Sequence, residues 1–210
     1  MHVFDIIGPI MIGPSSSHTA GAARIGRITR MLLGEPVRQA HIRFHGSFAK
    51  TWEGHGADRA VIGGLLGLQV DDPDLRRSRH LAAEQGMQYD ISPVQLRDAH
   101  PNTVIIEATG DSGKTVTVQA ASVGGGSVMV QYLNGMEVGF SGSKTTLIIQ
   151  HRDAPGAIAK VSRLLAASRT NIATMRVFRE EAGGPGRDGA GAGQRAGGTP
   201  YRRPAAGAGV

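Results

Sequence analysis

Ser15, Ser16, Ser17, His18 and Thr19 stand in a row behind a Gly13–Pro14 turn and directly before a stretch with helical apolar spacing. A helix start leaves its first amides unpaired, and one Ser or Thr side chain is enough to cap it. Four hydroxyl residues exceed that need. A helix N-terminus with free N–H groups and partial positive charge is also a natural seat for a carboxylate. An imidazole beside it suits proton transfer near neutral pH. The segment reads either as a capped helix with a polar, solvated lead-in or as an anion or catalytic site. Spacing alone leaves both open.

Three other places carry residues of chemical interest. His55 lies between Gly54 and Gly56, with Asp58 three residues on. Glycines beside a histidine permit close approach of a ligand to the backbone, and Asp58 is placed either to orient His55 or to cap a helix. Gly124, Gly125 and Gly126 separate two strand-like runs and read as a bulge or wide turn, or as a cradle of amides for a carboxylate. His151 and Asp153 read as solvated loop residues. His2, His41, His45, His80 and His100 show no metal-ligand spacing.

The elements that must position these residues follow from periodicity. Helices are expected over 19–33, 55–67 and 73–86. In the first, Ile25, Ile28 and Leu32 form one stripe, with Arg24, Arg27 and Arg30 away from it. Strands are expected over 37–50, 102–109, 114–122 and 127–133, and "GDSG" at 110–113 is a hairpin turn. These make residues 1–142 one α/β (α+β) domain with a mixed sheet. Residues 143–181 read as strand ("TTLIIQHRD"), helix ("APGAIAKVSRLLAASR") and strand ("NIATMRVFRE"), half of a βαββαβ unit. Residues 182–210 follow, and 24 of these 29 are Gly, Ala, Pro or Arg. That composition buries too little apolar surface to offset ordering entropy, so disorder is expected. It is the composition of a flexible tail or of a GC-rich gene read out of frame, and the unfinished unit before it favours the second.

Composition narrows the function classes. The chain of 210 residues contains no cysteine, which excludes disulfides, thiolate metal sites and a self-ligated iron–sulfur cluster. The net charge is +6, but Arg187, Arg195, Arg202 and Arg203 against Asp188 place +3 of it in the tail. The other 181 residues carry 19 basic and 16 acidic side chains, without a dense basic run among stacking aromatics. This argues against nucleic-acid binding. No long apolar run and no basic leader are present, so a soluble, cytoplasmic protein without a membrane partner is expected.

Taken in order, "GPSSSHT", "GHGADRA" and "SVGGGS", followed by "LIIQHRDAPGAIAKVSRLLA", resemble the beta subunit of bacterial iron–sulfur-dependent L-serine dehydratase over roughly residues 1–180. The resemblance implies an α/β beta-chain domain followed by a partial, ferredoxin-like ACT domain of the amino-acid-sensing type. It implies L-serine deamination to pyruvate and ammonia, active only in a hetero-oligomer with an alpha subunit whose cysteines ligate a [4Fe-4S] cluster. On this chain it implies His18 as the base or its near neighbour. It implies Ser15, Ser16, Ser17 and Thr19 at the substrate carboxylate, His55 and Asp58 on a loop closing over the site, and Gly124–Gly126 as a further substrate contact. Ala57 stands where the family pattern leads one to expect threonine, and the second half of the ACT unit is lacking. The alternative implied role is a non-catalytic regulatory subunit that binds an amino acid.

Overall fold

The computed structural model describes residues 10–152 and 154–178, with the backbone of 185–186. The expected tail, residues 182–210, lies outside the described residues apart from Pro185 and Gly186, as do Asp153 and the end of the expected strand at 179–180.

Among the described residues, six strands form one mixed sheet in the order β2-β1-β3-β4-β5-β6. They are β1 (Val37–His45), β2 (Gln88–Val94), β3 (Thr103–Gly110), β4 (Thr115–Gly124), β5 (Ser127–Leu133) and β6 (Met136–Phe140). β1 and β2 are parallel and all other neighbours are antiparallel. A parallel pair needs a long crossover. Here it consists of α2 (Gly46–His55), α3 (Ala57–Leu66), a short 3-10 turn (Pro73–Arg77) and α4 (Ser78–Glu84). With α1 (Ala22–Leu33), these helices cover the face of the sheet that presents Ala40, Ile42, Phe44, Val104, Ile106, Val118 and Val130 to the core.

The helix stripe expected from spacing is where it should be: Ile25 is fully buried, and Ile28 and Leu32 pack partly buried against the core. α1 and α3 touch backbone to backbone. A Cβ on Gly26 would lie 2.3 Å from the Val61 carbonyl oxygen, and one on Gly64 would lie 2.1 Å from that of Ala23. Each helix thus offers a bare backbone strip to the other.

Two expectations are corrected here. The strand expected over 37–50 stops at His45, because Gly46 adopts φ +57 and turns the chain into α2. The helix expected over 55–67 begins only at Ala57, since Gly56 at φ +67 ends α2. Residues 46–66 therefore hold two helices where one was read. In the second unit, α5 (Ala157–Ala167) forms, but its expected flanking strands reduce to β7 (His151–Arg152), paired with β8 (Pro185–Gly186). Residues 145–150 and 171–178 lie in no sheet, and among the described residues no other strand runs beside them. Without a neighbour the strand conformation has no ladder to stabilise it.

Candidate active site

The serine–histidine segment forms a π-helical turn, Ser16–Gly21, that runs straight into α1. Ser15 is its cap. Its hydroxyl accepts from the His18 amide at 3.0 Å, and its carbonyl accepts from the amides of Thr19 (2.9 Å) and Ala20 (3.3 Å). Widened turns of this kind recur at functional sites. The amides of Ser16 and Ser17 have no backbone partner among the described residues. They are the two donors left to face an anion once Ser15 has capped the third.

His18 is partly buried between two elements. Its Nδ1 lies 3.4 Å from the Ser15 hydroxyl and its Nε2 lies 3.2 Å from the hydroxyl of Ser47 on α2. The ring meets Phe48 edge-on at 5.2 Å, and the His55 ring lies 5.0 Å away at an angle of 35°. Burial first, and the His55 charge second, hold the His18 imidazole below the usual histidine range. His18 is thus neutral at physiological pH. His55, the last residue of α2, is exposed, and its ring nitrogens make no hydrogen bond to a described residue. Of the two imidazoles, His55 has the nitrogens free for an incoming molecule.

Thr19 is buried, and its hydroxyl donates to the His55 carbonyl oxygen at 3.1 Å. It ties the two histidine segments together, and its hydroxyl partner among the described residues belongs to the protein. Asp58 sits in the first turn of α3, fully buried, and one of its carboxylate oxygens accepts from Arg79 on α4. A carboxylate there is favoured by the helix dipole. It neither bonds His55 nor caps the helix with its side chain. Gly124, Gly125 and Gly126 have φ +106, +57 and +75 and make the tight β4–β5 connection. The Gly126 carbonyl accepts from Arg24 of α1 at 2.8 Å. The structure therefore gathers Ser15, Ser16, Ser17, His18, Thr19 and His55 into one site. Asp58 is turned into the helical layer, and Gly124–Gly126 is held against α1.

Sequence reasoning passed over Ser47 and Ser122. Ser122 on β4 is fully buried under Gly21, and a Cβ on Gly21 would lie 2.0 Å from its hydroxyl oxygen. Neither sits in a polar cluster along the chain, so no local signal marks them.

A family model described as the serine dehydratase beta chain matches residues 2–96, the segment that holds every residue of the imidazole site. The chain is 41% identical over 181 residues to a probable L-serine dehydratase beta chain of Bacillus subtilis, covering 86% of this chain and 82% of that one. The chain belongs to the serine dehydratase beta-chain family. A second family relative, the L-serine dehydratase beta chain of Peptoniphilus asaccharolyticus, is 39% identical over 173 residues, covering 82% of this chain and 78% of that one. A D-3-phosphoglycerate dehydrogenase of Bacillus subtilis is 30% identical over 164 residues, which are 78% of this chain but 31% of that protein. A stretch similar to this chain thus also lies inside a longer protein named for a different activity. Among the described residues no group of three His, Asp or Glu side chains could hold a metal ion, and no helix is long and apolar enough to cross a membrane.

Proposed function

We propose that this chain is the beta subunit of an L-serine dehydratase and supplies the substrate-binding and proton-transfer half of an active site shared with an alpha chain. The observation that carries the reading is the pair of imidazoles, His18 and His55, 5.0 Å apart beside two free helix-start amides. The reaction removes water from L-serine: a base takes the Cα proton, the hydroxyl leaves, and the aminoacrylate product tautomerises to an imine that water hydrolyses to pyruvate and ammonia. The amides and hydroxyls of Ser16 and Ser17 seat the substrate carboxylate. His55, with its nitrogens free, takes the Cα proton, and neutral His18 behind it leaves room for the positive charge that His55 then carries. This chain has no cysteine and therefore no thiolate for a cluster. Lewis-acid help to the departing hydroxyl would come from a [4Fe-4S] cluster on the alpha chain. The beta-chain names of the relatives support a partner alpha chain. Residues 143–181 are read as an incomplete ACT-type unit, for which the order β7–α5 is the support.

The test is co-expression with an alpha chain and an anaerobic assay of pyruvate from L-serine. His55→Ala should lower kcat by roughly 100-fold or more, the scale of losing a general base, with KM little changed. The regulatory reading is favoured by the relative with a different activity. It predicts normal kcat at saturating serine in both His18→Ala and His55→Ala, with only the dose-response shifted.

A further inference from the structure

Ser47 has no part in the reading above. It is the second residue of α2, one step past the sharp exit of β1 at Gly46. Its backbone is pinned from both sides: its amide donates to the Pro101 carbonyl at 2.7 Å, and its carbonyl accepts from the Thr51 hydroxyl at 2.8 Å. Its hydroxyl has one partner among the described residues, Nε2 of His18 at 3.2 Å. The other ring nitrogen of His18 meets the Ser15 hydroxyl at 3.4 Å.

A neutral imidazole has one donor and one acceptor nitrogen, whereas a hydroxyl donates and accepts. Two hydroxyls facing the two nitrogens from opposite sides therefore satisfy the ring completely. Ser15 comes from the lead-in to α1 and Ser47 from α2, 32 residues further on. Neither alone fixes rotation of the ring about its Cβ–Cγ bond. Together with the edge of Phe48 they leave it one orientation, the one that sets it 5.0 Å from the His55 ring.

We propose that Ser47 is the positioning residue of the imidazole pair: its hydroxyl clamps His18 against Ser15 in one ring orientation, and so places the ring that His55 works against. The proposal rests on the proton-transfer reading of the pair, and its two readouts separate the two ideas. The first is the orientation of the His18 ring by nitrogen-edited NMR of the full-length chain, where one set of ring signals with contacts to Phe48 is expected. Ser47→Ala should give a mixture, while Ser47→Thr, which keeps the hydroxyl, should restore one form. The second is kinetics of the reconstituted alpha–beta complex. Ser47→Ala should lower kcat about tenfold through misplacement of the ring, with KM little changed, and Ser47→Thr should recover most of it. An unchanged His18 spectrum in Ser47→Ala overturns the proposal. A reoriented or mixed His18 ring with undiminished kcat upholds the clamp and overturns the proton-transfer reading of the pair. Melting curves of both variants report the fold independently, since the backbone bonds of Ser47 do not use its hydroxyl.

Discussion

At the residue scale the site is a matter of which polar groups are already used. Ser15 spends its oxygen on the His18 amide, and Thr19 spends its hydroxyl on the His55 carbonyl. That leaves Ser16 and Ser17 as the serines for a ligand. Changing either to Ala should chiefly raise KM, by a few-fold for the loss of about one hydrogen bond, with kcat preserved because the contact exists before and during the reaction. Steady-state kinetics of the complex check this. The pH behaviour of His18 gives a second expectation. Its pKa in the folded chain lies below the ordinary value of 6.5. Between those two values the unfolded chain binds more protons, so stability rises with pH through that window and is fully present above it. Acidification should therefore lower the melting temperature of the native chain more than that of His18→Gln, and equal pH slopes would contradict a depressed pKa. Both histidines were legible in the sequence from their hydroxyl and glycine neighbours. Their meeting was not, because they are 37 positions apart and only the β1–α2 turn brings them together. Ser47 was hidden by the reading of its segment as strand.

At the element scale, legibility followed neighbour pattern. β3, β4 and β5 show clear alternation and stand where it places them. β2 carries Pro93 and lies at the sheet edge, and β6 contains Gly139, so neither looks like a strand locally. α2 begins and nearly ends in glycine and holds Phe48 and Trp52, residues at home in strands. What makes it a helix is tertiary: Phe48 is fully buried and both rings stack edge-on against Phe44 of β1, at 5.4 and 5.3 Å. The α1–α3 crossing gives the sharpest prediction at this scale. In Gly64→Ala the added methyl meets backbone, 2.1 Å from the Ala23 oxygen and 2.7 Å from the Arg27 nitrogen, so no rotamer relieves it. A loss of about 1–3 kcal/mol is expected, read as a lower urea midpoint with an unchanged slope.

For the whole molecule, the charge and the apolar surface are unevenly spread. Arg24, Arg27 and Arg30 on α1 reach the Gly126 carbonyl, the Gln69 side chain and the Leu65 carbonyl. The basic stripe seen in the sequence thus braces helices and a hairpin. Apolar surface gathers instead in the last described segment, where Leu147, Ile148, Ile149, Ile158, Leu164, Ile172 and Met175 are exposed and α5 buries none of its residues. Local stability follows buried contacts and paired backbone. Amides of 143–178 should exchange much faster than those of β3 to β5, and equal protection would mean that another chain covers the segment. Iron content and visible absorbance should appear in the alpha–beta complex, and a stoichiometric cluster on this chain alone would contradict the division of labour proposed above.

The bare-backbone crossing of α1 and α3 also acts as a gauge. His18 leads into the first of these helices and His55 stands two residues before the second. Side chains at an ordinary helix contact absorb strain by changing rotamer, but two apposed backbones have nothing to rearrange. A push on either helix from a docked chain moves both together, and the 5.0 Å gap between the rings travels with them unaltered. Any event that does change that gap must act through the short α2 segment and its Gly56 joint, which concentrates the mechanical control of the ring separation in eleven residues.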